Sequence, residues 1–293
     1  MPETAPTTFS GELGAISIGG NDYAMIRNWK IAVKADNQAV VDSATSGGTT
    51  RLGGNMDWSG SFVADGHPDA GLWEEGVAFV GSIDGAKGAY GAIIVESVRV
   101  NIDISTGAPI THEVAFSGSG ALTLGAAVEA DASVATPVPS IGGKVELATP
   151  AAEQSYTELA QVQTITLELK RPSTTYADSS SAGYTKRKRG PLDWTCSIKV
   201  GPDSNTGNAA YGLEGLPQPK DVKSIKITDG NATTWVLDWG IFDDISDIEV
   251  NRETQQVVAC TLNASMCGTT AIATVATLGS IVDPAVATIW PEA

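Results

Sequence analysis

The stretch GGTTRLGGNMDWSGSFVADG, residues Gly47–Gly66, has a second version, GYTKRKRGPLDWTCSIKVGP, which begins at Gly183. The Asp-Trp pairs of the two versions lie 136 residues apart. At this offset residues 29–62 align with residues 165–198 without a gap, and ten of the 34 pairs are identical. Chance pairing would give about two identities, so the sequence predicts an internal repeat.

The similarity resumes further along the chain with a larger offset. Ser82–Gly85 (SIDG) aligns within Lys226–Gly230 (KITDG) at an offset of 145, and residues 98–119 align with residues 245–265 at about 146. We therefore predict two tandem homologous domains joined by a connector of small and proline residues. The predicted domains are 1–135 and 151–293, the second with a C-terminal extension, and the linker is 136–150.

Apolar and other residues alternate with a period of two in both copies, which is typical of half-buried antiparallel strands. Trp29, Ile31 and Val33 alternate in this way, and their counterparts are Ile165, Leu167 and Leu169. We predict a mainly β fold of two antiparallel β-sandwich domains with few short helices. The helix candidates are residues 150–162 and 208–216.

The repeated Asp-Trp pair has a local structural interpretation. Glycine or proline before it closes a turn, the Asp accepts hydrogen bonds from turn amides, and the Trp opens a strand and fills the core. The indole N–H then needs one partner, and a ligand-binding Trp is the alternative interpretation. The framework shared by the copies comprises Gly47, Arg51, Gly54, Asp57, Trp58, Gly183, Arg187, Gly190, Asp193 and Trp194.

The composition limits the classes of function. The 293 residues carry 18 Lys and Arg against 34 Asp and Glu, a net charge of −16, which argues against tight binding of duplex DNA. The N-terminal residues show no signal-peptide pattern, and no apolar stretch is long enough for a membrane span, so we expect synthesis in a cytoplasm. Cys196, Cys260 and Cys267 are an odd number and are expected to be free thiols.

No catalytic, metal or cofactor site is predicted. His67 and His112 are the two histidines, and neither has a second His or a Cys at ligand spacing. The chain has no nucleophile-elbow pattern, and the G-x-G of Gly118–Gly125 lacks the strand–turn–helix context of a dinucleotide loop. We therefore do not expect an enzyme.

Five motifs follow one another within residues 15–125. They are an Arg-Asn-Trp strand, a Gly-Gly-Thr…Arg-Leu…Gly-Asn loop, an Asp-Trp-Ser-Gly strand, Ser-Ile-Asp-Gly and a Gly-Ala-Leu-Thr ending. In this order they resemble the tail tube (major tail) proteins of long-tailed bacteriophages. The second copy keeps the Asp-Trp strand but replaces Gly-Gly-Thr-Thr-Arg-Leu with Gly-Tyr-Thr-Lys-Arg-Lys.

The resemblance implies a β-sandwich in each domain and subunits that form rings stacked into a tube. Strands of neighbouring subunits join edge to edge into a closed β-barrel, through which DNA passes during ejection without specific binding. Since most members have one domain and form hexameric rings, two fused domains imply a pseudo-hexameric ring of three chains. We expect an acidic channel, because like charges repel phosphates.

The resemblance also implies the partners and the location. The partners would be further copies of the chain, the tape measure protein, the tail terminator and baseplate or tip proteins, with a sheath if the tail is contractile. No membrane partner and no cofactor are expected. The chain would reside in the virion tail after assembly in the host cytoplasm.

The run Lys186, Arg187, Lys188 and Arg189 distinguishes the second copy from the first. Three interpretations stay open at this point: a solvated charged loop, a contact with an acidic surface of the next ring, and a grip on DNA. Two other functions also stay open. The chain could be a tandem β-sandwich protein for binding, adhesion or decoration, or a tube subunit of a bacterial injection apparatus.

Overall fold

A computed structural model of the chain describes residues 14–23, 25–40, 50–68, 72, 76–83, 87–125, 137–150, 155–159, 161–179, 182–201, 216–249, 259–267 and 272–276. These residues form nineteen β-strands and no α-helix. Every strand pair within this part of the chain is antiparallel. The predicted mainly β, antiparallel fold is confirmed.

The described residues of the first half form nine strands. They are β1 (Ala15–Ile18), β2 (Asn21–Tyr23), β3 (Ile26–Ala35), β4 (Gln38–Val40), β5 (Thr50–Leu52), β6 (Met56–Asp65), β7 (Val77–Ser82), β8 (Gly88–Asp103) and β9 (Thr111–Leu124). Seven of them are hydrogen-bonded in the order β2-β1-β7-β8-β9-β6-β3. The other two, β4 and β5, form a separate hairpin.

Ten strands are formed by the part of the second half that the structure describes. They are β10 (Lys144–Ala148), β11 (Thr157–Leu159), β12 (Val162–Lys170), β13 (Ser173–Tyr176), β14 (Lys186–Arg189), β15 (Asp193–Val200), β16 (Val222–Thr228), β17 (Thr233–Glu249), β18 (Ala259–Met266) and β19 (Ile272–Ala276). Seven follow the order β11-β10-β16-β17-β18-β15-β12, the counterpart of the first half. The hairpin β13-β14 corresponds to β4-β5, and β19 pairs with β17.

The two halves also share their pairing register. Val33 lies opposite Trp58 in β3 and β6, and Leu169 lies opposite Trp194 in β12 and β15, so each residue is matched at an offset of 136. The two hairpins are in register at the same offset, since Ala39 pairs with Arg51 and Thr175 pairs with Arg187. The repeat in the sequence is therefore a repeat of backbone pairing.

The long strands β8 and β17 carry a β-bulge at matching places. The register shifts between Val95 and Ser97 in β8, and between Phe242 and Asp244 in β17, which corresponds to an offset of 147. A bulge bends its strand and increases the local twist. Before the bulge, β8 pairs with β7, and β17 pairs with β16. Beyond the bulge, the same edge of β8 pairs with β12.

An aromatic cluster lies between two layers of strands in the first half. Phe79 of β7 contacts Phe116 of β9 with ring centroids 4.9 Å apart, Trp58 of β6 at 6.4 Å and Trp29 of β3 at 6.3 Å. Strand β7 pairs with none of these three strands, so it packs over their face. This is the geometry of a sandwich, in which side chains of two sheets fill the space between them.

Some predictions made from the sequence need correction. Thr157–Leu159 lies in the helix candidate 150–162 but forms β11, because pairing with β10 and burial of Leu159 override local helix preference. Lys144–Ala148, inside the predicted linker 136–150, forms β10 and buries Val145. The candidate 208–216 lies outside the described residues except for Leu216. The predicted domain bounds themselves remain a prediction.

Candidate functional site: the junction between the halves and the sheet edges

The two halves are joined by strand pairing. Strand β12 lies antiparallel beside the part of β8 beyond the bulge, from Thr164 opposite Asp103 to Lys170 opposite Ser97. Arg99 and Glu168 lie opposite each other on the polar face of the two paired strands. They form an ion pair in which Arg99 Nη2 lies 3.2 Å from Glu168 Oε1. One continuous sheet results, in the order β17-β18-β15-β12-β8-β9-β6-β3, which we call the spanning sheet.

The junction buries apolar side chains on the other face of the spanning sheet. Val98, Val100 and Ile102 of β8 alternate with polar residues and are buried. They lie opposite the equally buried Leu169, Leu167 and Ile165 of β12. These six side chains belong to one hydrophobic core cluster, so the junction is continuous with the core. Burial of a side chain of this size contributes about 1.5–3 kcal/mol.

Arg187 makes a second connection between the halves. Its Nη2 lies 2.6 Å from Oδ2 of Asp57, and its Nη1 lies 3.6 Å from Oε1 of Glu96. Its Nε donates to the carbonyl of Gly118 at 3.2 Å. The guanidinium-bearing side chain is only 11 % exposed, so it ties the first Asp-Trp phrase to the second copy of the repeat.

His67 and Asp229 form a third connection. His67 Nε2 lies 2.7 Å from Asp229 Oδ2, and the imidazole contacts the ring of Trp235 at 5.0 Å between centroids. Asp229 is buried, and its Oδ1 accepts hydrogen bonds from the backbone amides of Asn231 and Thr233. The carboxylate therefore organises a turn of the second half and holds a histidine of the first.

The two tryptophans of the repeat are core residues. Trp58 and Trp194 are 2 % and 0 % exposed, as the structural interpretation expects. The indole of Trp58 donates to the carbonyl of Gly120 at 3.0 Å. Within the described residues, however, Nε1 of Trp194 has no acceptor, so the expected partner is present in one copy only.

The remaining framework residues have different roles. Gly54 and Gly190 are needed for close backbone approach, since a Cβ there would overlap the carbonyl oxygens of Asp36 and Pro172, which are themselves equivalent. Asp57 accepts a hydrogen bond of 2.9 Å from the amide of Trp58, which lies in β6 and not in the turn before it, where the sequence predicted the donor. Asp193 is exposed, as is Arg51, while Gly183 has a φ of +80° and Gly47 lies outside the described residues.

The basic run is a strand and not a loop. Lys186–Arg189 forms β14, which pairs with β13 from Ser173 opposite Arg189 to Tyr176 opposite Lys186. Arg187 is engaged within the chain as described, and Lys186 Nζ lies 3.5 Å from Oδ1 of Asp178. Lys188 is exposed. A contact of this run with another ring remains a prediction.

The polar face of the spanning sheet is rich in hydroxyl groups and carries both signs of charge. Its described side chains, identified from the registers, include the cations Lys30, Lys34, Arg99, Lys170 and Lys199. They also include the carboxylates Asp57, Asp65, Asp103, Glu113, Glu168, Asp193 and Asp244. Serine and threonine occupy many of the positions between them. Among the charged side chains named here, the carboxylates outnumber the cations by seven to five.

Several titratable groups have pKa values set by their surroundings. Burial raises the pKa of the Cys196 thiol to about 12 and raises that of Cys260. Burial lowers the pKa of His112, whose Nδ1 lies 2.9 Å from the carbonyl of Gly66. A hydrogen bond from Ser105 lowers the pKa of Asp103.

Cys196, Cys260 and Cys267 are free, and the first two are buried, which confirms the prediction of free thiols.

Two connecting residues, Glu96 and Asp229, were not predicted from the sequence. Glu96 is the bulge residue of β8 and receives a 2.6 Å hydrogen bond from Ser173 of the second half, whereas a carboxylate in a strand-like run is usually read as solvated. Asp229 lies in a motif matched between the copies, but its distance to His67 depends on tertiary packing. Neither residue has a local pattern that could identify its partner.

Comparison with protein families and with curated proteins finds no match to this chain. In the part of the chain that the structure describes, no helix has the length and apolar character needed to span a bilayer.

Proposed function

We propose that the chain is a structural subunit of a bacteriophage tail tube, three copies of which form a pseudo-hexameric ring around a channel that conducts DNA. The observation that carries the proposal is the spanning sheet, in which the second repeat adds its edge strand to an edge of the first. Addition of this kind is heterologous, because the two paired surfaces differ, and heterologous pairing forms rings when it closes.

The size of the resulting barrel is compatible with a DNA channel. Each chain contributes eight strands to the spanning sheet, so three chains would contribute 24. With strands about 4.8 Å apart, such a cylinder has a diameter of about 37 Å without tilt and about 48 Å at a tilt of about 40°. Barrels of 16–18 strands already enclose an aqueous channel, and this one would be wider.

The polar face of the spanning sheet is suited to line that channel. Its apolar face packs into the core, so the face with hydroxyl groups and mixed charges is the one available to solvent. In the described part of the chain this face intersperses cations with carboxylates and gives phosphates no continuous basic track, so DNA could pass without being held. It is less acidic than the net charge of the whole chain suggests.

Electron microscopy of the purified full chain tests the proposal. We expect hollow rings or stacked tubes with a central channel, and two-dimensional classes with pseudo-sixfold symmetry. Sedimentation should give a trimer or multiples of it. A monodisperse monomer at high protein concentration, or solid fibres without a channel, would contradict the tube and favour a binding or decoration protein.

The role of the basic strand in ring stacking has its own test. The triple variant Lys186→Gln, Lys188→Gln and Arg189→Gln leaves Arg187 in place, so the contact between the halves is preserved. We expect this variant to form rings but shorter tubes, measured as tube length in micrographs. Tubes of normal length would rule out a stacking role for these three side chains.

A further inference from the structure

We infer that β3 of one chain pairs with the last part of β17 of a second copy, in the register in which β12 pairs with β8. This inference deepens the proposed function and rests on it for the identity of the partner as another copy of the chain. The observed junction supplies the template. Strand β12 is the equivalent of β3, and β8 is the equivalent of β17, by the shared registers described above.

Both edges required for this contact are open in the described part of the chain. There β3 pairs with β6 on one edge only, and the segment of β17 beyond its bulge pairs with β18 only. The equivalent edges, on β12 and β8, are the two that pair with each other. Unpaired strand edges are templates for pairing with another chain.

Side chains at the open edges of β3 and β17 are more exposed than their equivalents in β12 and β8, as expected for strands that lack a neighbouring strand. Leu169 of β12 is 6 % exposed, whereas its equivalent Val33 of β3 is 49 % exposed. On the partner side Val98 is fully buried, and its equivalent Ile245 is only half-buried. The two open edges therefore present the apolar side chains that the internal junction covers.

Charge favours pairing between β3 and β17 over pairing of either strand with itself. Strand β3 carries Arg27, Lys30 and Lys34 and no acidic residue. The segment Asp243–Glu249 carries four acidic residues and no basic one. Neither β12 nor the paired part of β8 has such a one-sided charge. Opposite charges steer the two edges together, and like charges oppose pairing of identical edges.

The template fixes which residues face each other. Transferring the register of β12 and β8 places Ala32 opposite Ser246, Val33 opposite Ile245 and Lys34 opposite Asp244. The last pair joins an ammonium and a carboxylate at a position that Lys170 and Ser97 occupy in the internal junction. The contact is head-to-tail, because each chain offers one edge of each kind.

Disulfide trapping tests this register. The variant Ala32→Cys with Ser246→Cys, in a Cys267→Ser background, places thiols at directly opposed positions, whose Cα atoms lie about 4.5–5.5 Å apart and within disulfide range. We expect covalent species of two and three chains on a non-reducing gel. The matched control is Arg99→Cys with Glu168→Cys, the equivalent pair of the internal junction, which should form an intramolecular disulfide in the monomer.

Mixing the single-cysteine variants shows the direction of the contact. Chains with Ala32→Cys and chains with Ser246→Cys should give a covalent dimer only when mixed. A dimer from Ala32→Cys alone would show that β3 pairs with β3 and would overturn the inference. So would the absence of a mixed dimer while the internal control is fully oxidised.

Charge reversal gives an independent readout. We expect Lys34→Glu or Asp244→Lys alone to raise the concentration required for assembly about tenfold, and the double variant to recover most of the loss. No change in either single variant would contradict the register. Hollow rings without the mixed disulfide would refute this interface but leave the tube intact. Trapped chains in open fibres would support the interface and refute the tube.

Discussion

Replacement of Arg187 with Met removes the guanidinium that joins the two halves and keeps most of the aliphatic stem. The arginine side chain is 11 % exposed, whereas the side chains of Asp57 and Glu96 are 41 % and 35 % exposed. Both carboxylates therefore regain hydration when the cation is lost. The variant loses charged hydrogen bonds without leaving a fully buried ion unpaired.

The magnitude of the loss follows from this intermediate burial. Exposed ion pairs contribute about 0.2–1 kcal/mol, and breaking a fully buried pair costs about 3–5 kcal/mol. A hydrogen bond to a charged group contributes about 1.5–3 kcal/mol. Arg187 makes a short contact with Asp57 and a longer one with Glu96, so we expect its loss to reduce the free energy of unfolding by about 2 kcal/mol.

Urea unfolding followed by tryptophan fluorescence and circular dichroism measures this effect. The control is Arg51→Met, which changes the equivalent but exposed residue of β5 and should alter stability by less than about 0.5 kcal/mol. A double-mutant cycle with Asp57→Asn isolates the pair. Equal effects of the two arginine variants, or a difference that high salt abolishes, would refute the argument that a shielded contact connects the halves.

Three further predictions concern the core. Gly118→Ala puts a Cβ into the indole ring of Trp58 and should destabilise the protein by about 3 kcal/mol in urea unfolding; wild-type stability would mean that the ring can move. Trp58→Phe should cost about 1 kcal/mol more than Trp194→Phe, because only the first loses an indole hydrogen bond, to Gly120; equal losses would contradict the contrast between the copies. Burial lowers the pKa of His112 from 6.5, so the unfolded state binds a proton first, and this contribution to stability is lost as pH falls below 6.5. Stability measured from neutral to mildly acidic pH should fall less steeply in His112→Gln, and parallel curves for the two proteins would disprove the assignment.

The strand repeat was predictable because its evidence is local. Alternation with a period of two and the Asp-Trp phrase identified the matching strands, and a constant offset of 136 carried over to their register. The later match was less accurate. The sequence aligns residues 98–119 at an offset of about 146, whereas the registers match Val98 of β8 with Ile245, an offset of 147, and Ser117 of β9 with Ser265, an offset of 148. In β9 a shift of two residues keeps every side chain on the same face, so the pattern could not detect it.

Contacts that join the halves were not predictable. The sequence marks Arg187 both as a framework residue matched with Arg51 and as one of four charges in a basic run, but only the fold of β13 and β14 directs it toward Asp57. Strand β10 was not predicted, because the Gly and Pro residues before it indicate a linker. Its pairing with β16 makes it part of the core. In both cases the deciding interaction is with residues far away along the chain.

The pairing of β8 with β12 has a consequence for the kinetics of assembly. Its two strands belong to one polypeptide, so the contact forms by intramolecular closure at a high effective concentration, whatever the amount of protein present. A contact between separate chains requires a bimolecular collision and slows as the protein is diluted. Because two repeats are fused, the contact between repeats of one chain forms as a step of folding. Only the contact between separate chains depends on their collision.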